Sequence, residues 1–116
     1  MRKILMCLIL ISTMLLASCA AQQVYHQGNE AFSQGDYDAS FADYLYASNQ
    51  GIIPAKYALA YQYYYGLGTK TDTVKTIELL KSIKNRSKQA AVALHLIQQQ
   101  SVAEPWAYKF KSFGTQ

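Results

Sequence analysis

The chain reads as all-α, a short α-solenoid of stacked helical hairpins with about five helices and a C-terminal tail. Three observations predict this. From Val24 onward the apolar residues recur at helical spacing, and no stretch alternates strictly for long enough to make a strand. Gly35, Gly51, Gly66 and Pro54 fall at the ends of those helical stretches, where turns need them. The intervals between the stretches are short, which forces consecutive amphipathic helices to lie antiparallel.

Residues 1–18 stand apart from that pattern. Arg2 and Lys3 precede a 13-residue apolar run, Ile4 to Leu16, broken only by Ser12 and Thr13. As a helix the run is ~20 Å long, short of the ~30 Å hydrocarbon core, so a secretion signal fits better than a retained span. Its end, Leu16-Ala17-Ser18-Cys19, resembles the lipobox of bacterial lipoproteins. That resemblance implies cleavage before Cys19, a diacylglyceryl thioether on its sulfur and acylation of the new amino terminus. An ordinary signal peptide cut near Ala20 or Ala21 is the competing reading. Buried methylenes contribute about 0.8 kcal/mol each, so several acyl chains give a lasting anchor where one would not. With Cys7 lost and Cys19 acylated, the folded part has no thiol for a disulfide. Ala20, rather than an aspartate, follows the cysteine, which resembles lipoproteins sent to the outer membrane of Gram-negative bacteria. Residues 19–23 then form a tether; extended, it reaches ~15 Å and keeps the domain close to the bilayer.

The helical repeat domain spans 24–100. A first helix is expected from Val24 to Gln34, ended by Gly35. Asp36 is placed to cap a second, Tyr37 to about Gln50, with Tyr37, Phe41, Tyr44, Leu45 and Ser48 on one stripe. Pro54 suits the first turn of a third helix that runs to Tyr65 and closes at Gly66. After the loop 66–71, Asp72 caps a fourth helix carrying Val74, Ile77, Leu80 and Ile83. A fifth, Ser87 to about Gln100, carries Ala90, Ala93, Leu94 and Ile97. The tail, 101–116, contains Pro105, Trp106, Tyr108, Phe110 and Phe113 among lysines. It is expected to cap the last hydrophobic face, contact of Trp106 and the lysines with lipid headgroups being the alternative.

Self-comparison finds a repeat. Ala55-x-x-x-Leu59 recurs as Ala90-x-x-x-Leu94 at an offset of 35, and Asp36 precedes its helix as Asp72 does, at an offset of 36. From Ala47 to Leu80, the residues Ala47, Gly51, Ala55, Leu59, Ala60, Tyr63, Gly66, Gly68, Asp72, Lys75 and Leu79 resemble the SEL-one-like repeat. Thr69 and Thr76 depart from it. Gly28, Phe32, Gly35, Asp36, Tyr37, Tyr44 and Ala47 resemble its relative, the tetratricopeptide repeat, with Ser40 at a small-residue position. Both resemblances imply stacked hairpins and a protein-interaction role, and neither implies chemistry.

Charge is modest: without Arg2 and Lys3 the chain carries nine basic and seven acidic residues, or +2, a weak case for nucleic acid. Residues 19–72 sum to −3 and 73–116 to +5, so one end of the fold is expected to be acidic and the other basic. His26 and His95 lack neighbours at metal-ligand spacing. Asp36, Asp38 and Asp43 read as turn charges, since the EF-hand spacing is missing. No catalytic motif is present, and no catalytic residue, metal or cofactor is expected beyond the covalent lipid on Cys19. Tyr57, Tyr61 and Tyr64 are harder to place. At about 100° per residue they fall within about 60° of one another, roughly opposite Ala55, Leu59 and Tyr63. They either line a peptide-binding groove on the concave face or pack against the first hairpin.

These expectations combine into a lipid-anchored, periplasm-facing module, on the outer membrane, that docks another envelope protein or peptide segment. It would serve as an adaptor in envelope assembly, or as a pilotin-like escort for a secretion, pilus or conjugation system. A small periplasmic enzyme is the third and weakest fit.

Overall fold

A computed structural model of the protein describes residues 1–99. The expected tail, 101–116, lies outside the described residues. The chain is all-α, with five helices and no strand among the described residues: α1 Arg2–Ser33, α2 Tyr37–Asn49, α3 Ile53–Tyr65, α4 Thr73–Ile83 and α5 Lys88–Gln98. Each helix makes its main contacts with the helices before and after it in the chain.

The local signals sit where the residue chemistry puts them. Asp36 Oδ1 accepts from Ala39 N at 3.2 Å and Asp72 Oδ1 from Lys75 N at 2.9 Å, so both carboxylates occupy free amides of a first turn. Ser87 Oγ does the same for Ala90 N at 3.2 Å, which makes Ser87 the cap of α5 rather than its first residue. Pro54 lies in the first turn of α3, and Gly66 ends it with φ 65°.

The first helix departs from expectation. It begins at Arg2, not Val24, because Ala20, Ala21, Gln22 and Gln23 are good helix formers with no glycine or proline to interrupt them. Residues 19–23 are therefore helical, and their reach falls to ~7 Å. The helix is nonetheless two different objects. Every residue from 1 to 20 is exposed, whereas Ala21 and Gly28 are buried and Val24, Tyr25, Ala31 and Phe32 partly so. Gly28 is needed for close approach: a Cβ there would stand 2.8 Å from Cε1 of the Tyr44 ring.

Two buried faces are rotated from the expected stripes. In α2 the buried residues are Ser40, Tyr44, Ala47 and Ser48, with Tyr37 and Leu45 at the margin. In α4 Val74 is 69% exposed, and Thr76 is buried with Leu80 and Ile83. The Thr76 hydroxyl lies 3.1 Å from Ala60 O and 2.9 Å from Asp72 O, with one proton to share, so threonine at this position is satisfied. The face expected of α5, Ala90, Ala93, Leu94 and Ile97, is the buried one.

The deepest polar group is Gln62. Its Nε2 donates toward Tyr37 O at 3.1 Å, Ser40 Oγ at 3.0 Å and Leu67 O at 3.1 Å, tying the first turn of α2 to the loop that follows α3. Its Oε1 is buried with no partner among the described residues. Asp72 N donates to Tyr63 O at 2.8 Å and closes the same loop. Gly68, with φ 69°, lies flat on the backbone of Tyr37; a Cβ would collide with Tyr37 O and come within 2.6 Å of Tyr37 C.

Gly35 has a similar φ of 79° but open space around it. Gly35→Ala is therefore expected to lose about 1–2 kcal/mol, the left-handed conformation alone. Gly68→Ala adds a backbone collision and should lose ~1–3 kcal/mol more. Thermal and denaturant melts of the two variants measure the difference; equal losses would contradict the tight contact between loop and α2.

Candidate functional site

A groove of about 630 Å³ opens between the three odd-numbered helices. α1 contributes Tyr25 and Asn29, the start of α3 contributes Ile53, Pro54, Tyr57 and Ala58, and the α4–α5 turn contributes Arg86, Ser87, Lys88 and Gln89. Each wall has a local cause. The stripe of α1 that packs on α2 also presents Tyr25 and Asn29, and Asn29 Oδ1 accepts from the buried Tyr44 hydroxyl at 2.7 Å, which fixes its orientation. Pro54 needs no donor in the first turn of α3, so it can face the opening. Arg86 and Lys88 flank the Ser87 cap, with the free amides of α5 beside them.

The groove is apolar along α3 and positively charged at α5, with two cations and no carboxylate among its lining residues. Such a surface can hold an apolar peptide segment and place a carboxylate near Arg86 and Lys88. It has no nucleophile paired with a base. Among the described residues no three His, Cys, Asp or Glu side chains gather as metal ligands.

The three tyrosines do not share this surface. Tyr57 lines the groove, though only 7% of it is exposed. Tyr61, 6% exposed, packs edge-on against Phe32 at 6.0 Å and tilted against Tyr65 at 4.7 Å between ring centroids. Tyr64 is partly buried and meets Tyr65 edge-on at 4.9 Å. The reason is that α3 is flanked by α2 and α4: Ala55 and every residue from Tyr57 to Gln62 are buried, and the Tyr61 ring reaches Phe32 of α1 instead of solvent.

Cys19 is exposed on α1, two residues before the first buried residue, Ala21. The helix around it is long and apolar enough to cross a membrane, which fits a signal sequence or membrane association. His26 and His95 are exposed. The Asp43 carboxyl is raised above the usual range, chiefly by partial burial and then by the charge of Asp36. Sequence reasoning missed Asn29, Arg86 and Lys88 as members of one surface, because the chain brings them together from 57 or more positions apart. The basic pair around a serine cap was the available signal.

No family model matches the chain, and no match is found among curated proteins or solved structures.

Two outcomes are expected. Tyr61→Ala should lose ~3 kcal/mol of stability in a denaturant melt, as a buried aromatic does, and Tyr64→Ala clearly less; equal small losses would return Tyr61 to an open surface. Burial, then Tyr65 and Tyr37, pushes the Tyr61 hydroxyl up to about 12 from 10.0, and Tyr44 shifts the same way. The fold favours the neutral phenol, so this contribution is complete below pH 10 and is lost as pH rises through about 12. Tyrosinate absorbance and melting temperature followed together should show late-ionising rings and falling stability across that window. Ionisation of every tyrosine at the ordinary value, with melting unchanged, would contradict it.

Proposed function

We propose that the protein is a membrane-anchored adaptor that holds a segment of another envelope protein in the groove between α1, α3 and α5. The carrying observation is that groove, apolar on one wall and cationic at one end. The segment would lie extended or as a short helix along Ile53, Pro54 and Tyr57, with an acidic group toward Arg86 and Lys88. Tyr57 keeps its proposed role as a groove residue, while Tyr61 and Tyr64 lie farther along α3, outside the groove lining.

The anchor reading has its own support. The packed part of α1 begins at Ala21, just inside the mature chain that the lipobox-like Leu16–Cys19 implies, and residues 1–18 contribute nothing to the core. A leader that is discarded should have this property. Acyl chains on Cys19 would then hold the domain at the membrane, in this reading the outer membrane with the domain in the periplasm. Successive packing of the helices supports a solenoid of the SEL-one-like or tetratricopeptide kind, in which first helices line the binding face.

Photo-crosslinking residues placed at Ile53 and Gln89 in the native host should capture the same envelope protein, and one placed at exposed Val74 on α4 should not. Capture from Val74 alone, or of unrelated products from the two groove positions, would contradict the groove. Cys19→Ser should abolish acylation and release the chain from the membrane fraction; mass analysis and fractionation read both, and an unchanged distribution would contradict the anchor.

A further inference from the structure

The unbroken course of α1 fixes the edge at which its apolar segment leaves the fold. The exposed apolar residues from Ile4 to Leu16 and the exposed Cys19 all leave the packed domain by one edge. Antiparallel neighbours place the end of α2, the start of α3, the end of α4 and the start of α5 at that same edge. The contacts agree: Tyr25, six residues past Cys19 and so ~9 Å along the axis, shares the groove with Ile53 and Lys88. The far edge holds the turn between α1 and α2 and the loop 66–72, which meet where Gly68 lies on Tyr37.

Charge sorts by edge. Lys81, Lys84, Arg86 and Lys88 are all exposed at the leader side, and half-buried Lys56 sits in the first turn of α3 nearby. Among the described residues the ion pair formed is Lys75 with Glu78, so these five cations are not neutralised by them. Glu30, Asp36, Asp38 and Asp72 lie at the far edge with Lys70 and Lys75, which leaves that edge net acidic, and Asp43 and Glu78 lie midway along their helices. The separation runs along the helix axes, and it follows the halves of the sequence too, since four of the five leader-side cations come after residue 72.

We propose that this basic edge rests on anionic phospholipid headgroups, so that the domain stands on the bilayer in one orientation with its acidic edge outward. The proposal rests on the membrane-anchored reading above. A helical connection of ~7 Å keeps the cations within about one Debye length of the surface, where each is attracted to negative lipid. Charge complementarity and the exit point of α1 specify the same face independently.

The test uses the lipidated protein purified from membranes and reconstituted in vesicles, with amine acylation followed residue by residue by mass spectrometry. In vesicles containing phosphatidylglycerol, Lys81, Lys84 and Lys88 should react roughly fivefold or more slowly than Lys70 and Lys75, the factor one cation at such a surface implies. High salt, or phosphatidylcholine alone, should remove the difference. In the variant Lys84→Gln, Arg86→Gln, Lys88→Gln, whose substitutions are all exposed, Lys81 should react as fast as Lys75. Even labelling of both edges, or protection that persists in neutral lipid, would overturn the proposal. Intact mass reads the anchor separately: an unacylated chain would contradict the lipid-anchor reading and this inference with it, whereas an acylated chain with evenly labelled lysines would contradict this inference alone.

Discussion

A single buried amide holds the hairpins in register. Gln62 sits in the last turn of α3 and gives its NH2 group to the first turn of α2, to Ser40 and to the loop after α3, three acceptors for two hydrogens. Helix packing by itself is permissive, since small residues and aliphatic side chains slide past one another at little cost. A donor that must find particular carbonyls in a dry interior is not permissive, because each unmade bond leaves a buried polar group at ~1–3 kcal/mol. Gly68 reinforces the same junction by letting the loop touch the backbone of Tyr37. The far edge is thus pinned by polar contacts, and the leader edge, where the groove opens, is shaped by what that pinning leaves apart.

What could be read from residues alone follows the range of the interaction. Caps and stops were legible because an aspartate acts on an amide three residues away, as Asp36 and Asp72 do, and because Gly66 needs only its own φ. Buried faces were legible for α5, which packs on one side. They were rotated for α2 and α4, where the position of the neighbouring helix decides whether Tyr37 or Ser40, Val74 or Thr76, turns inward. For α3 the amphipathic assumption itself failed, since a helix flanked on both sides has no solvent face to reserve. The tyrosine stripe was real as periodicity and divided along the helix, one ring at the groove and two farther along α3. Gln62 gave no signal at all: a glutamine among tyrosines looks like a surface residue until three acceptors surround it.

The groove, the apolar extension of α1 and the basic side chains meet at one edge for a topological reason. First helices of successive hairpins run in the same direction, so their amino-terminal ends share a level with the point where α1 meets its apolar extension. The surface proposed to receive a partner and the surface proposed to meet lipid are therefore contiguous, with Arg86 and Lys88 belonging to both. A segment bound there would lie beside the bilayer, where membrane proteins of the envelope present their chains.

The central claim is that the amide of Gln62 sets the register from which groove and edge follow. Nuclear magnetic resonance of its side-chain NH2 protons tests this most directly. The account predicts slow exchange with solvent and close contacts from those protons to the backbone of both Tyr37 and Leu67. Exchange at the rate of a free glutamine side chain, with no contact to either residue, would contradict it.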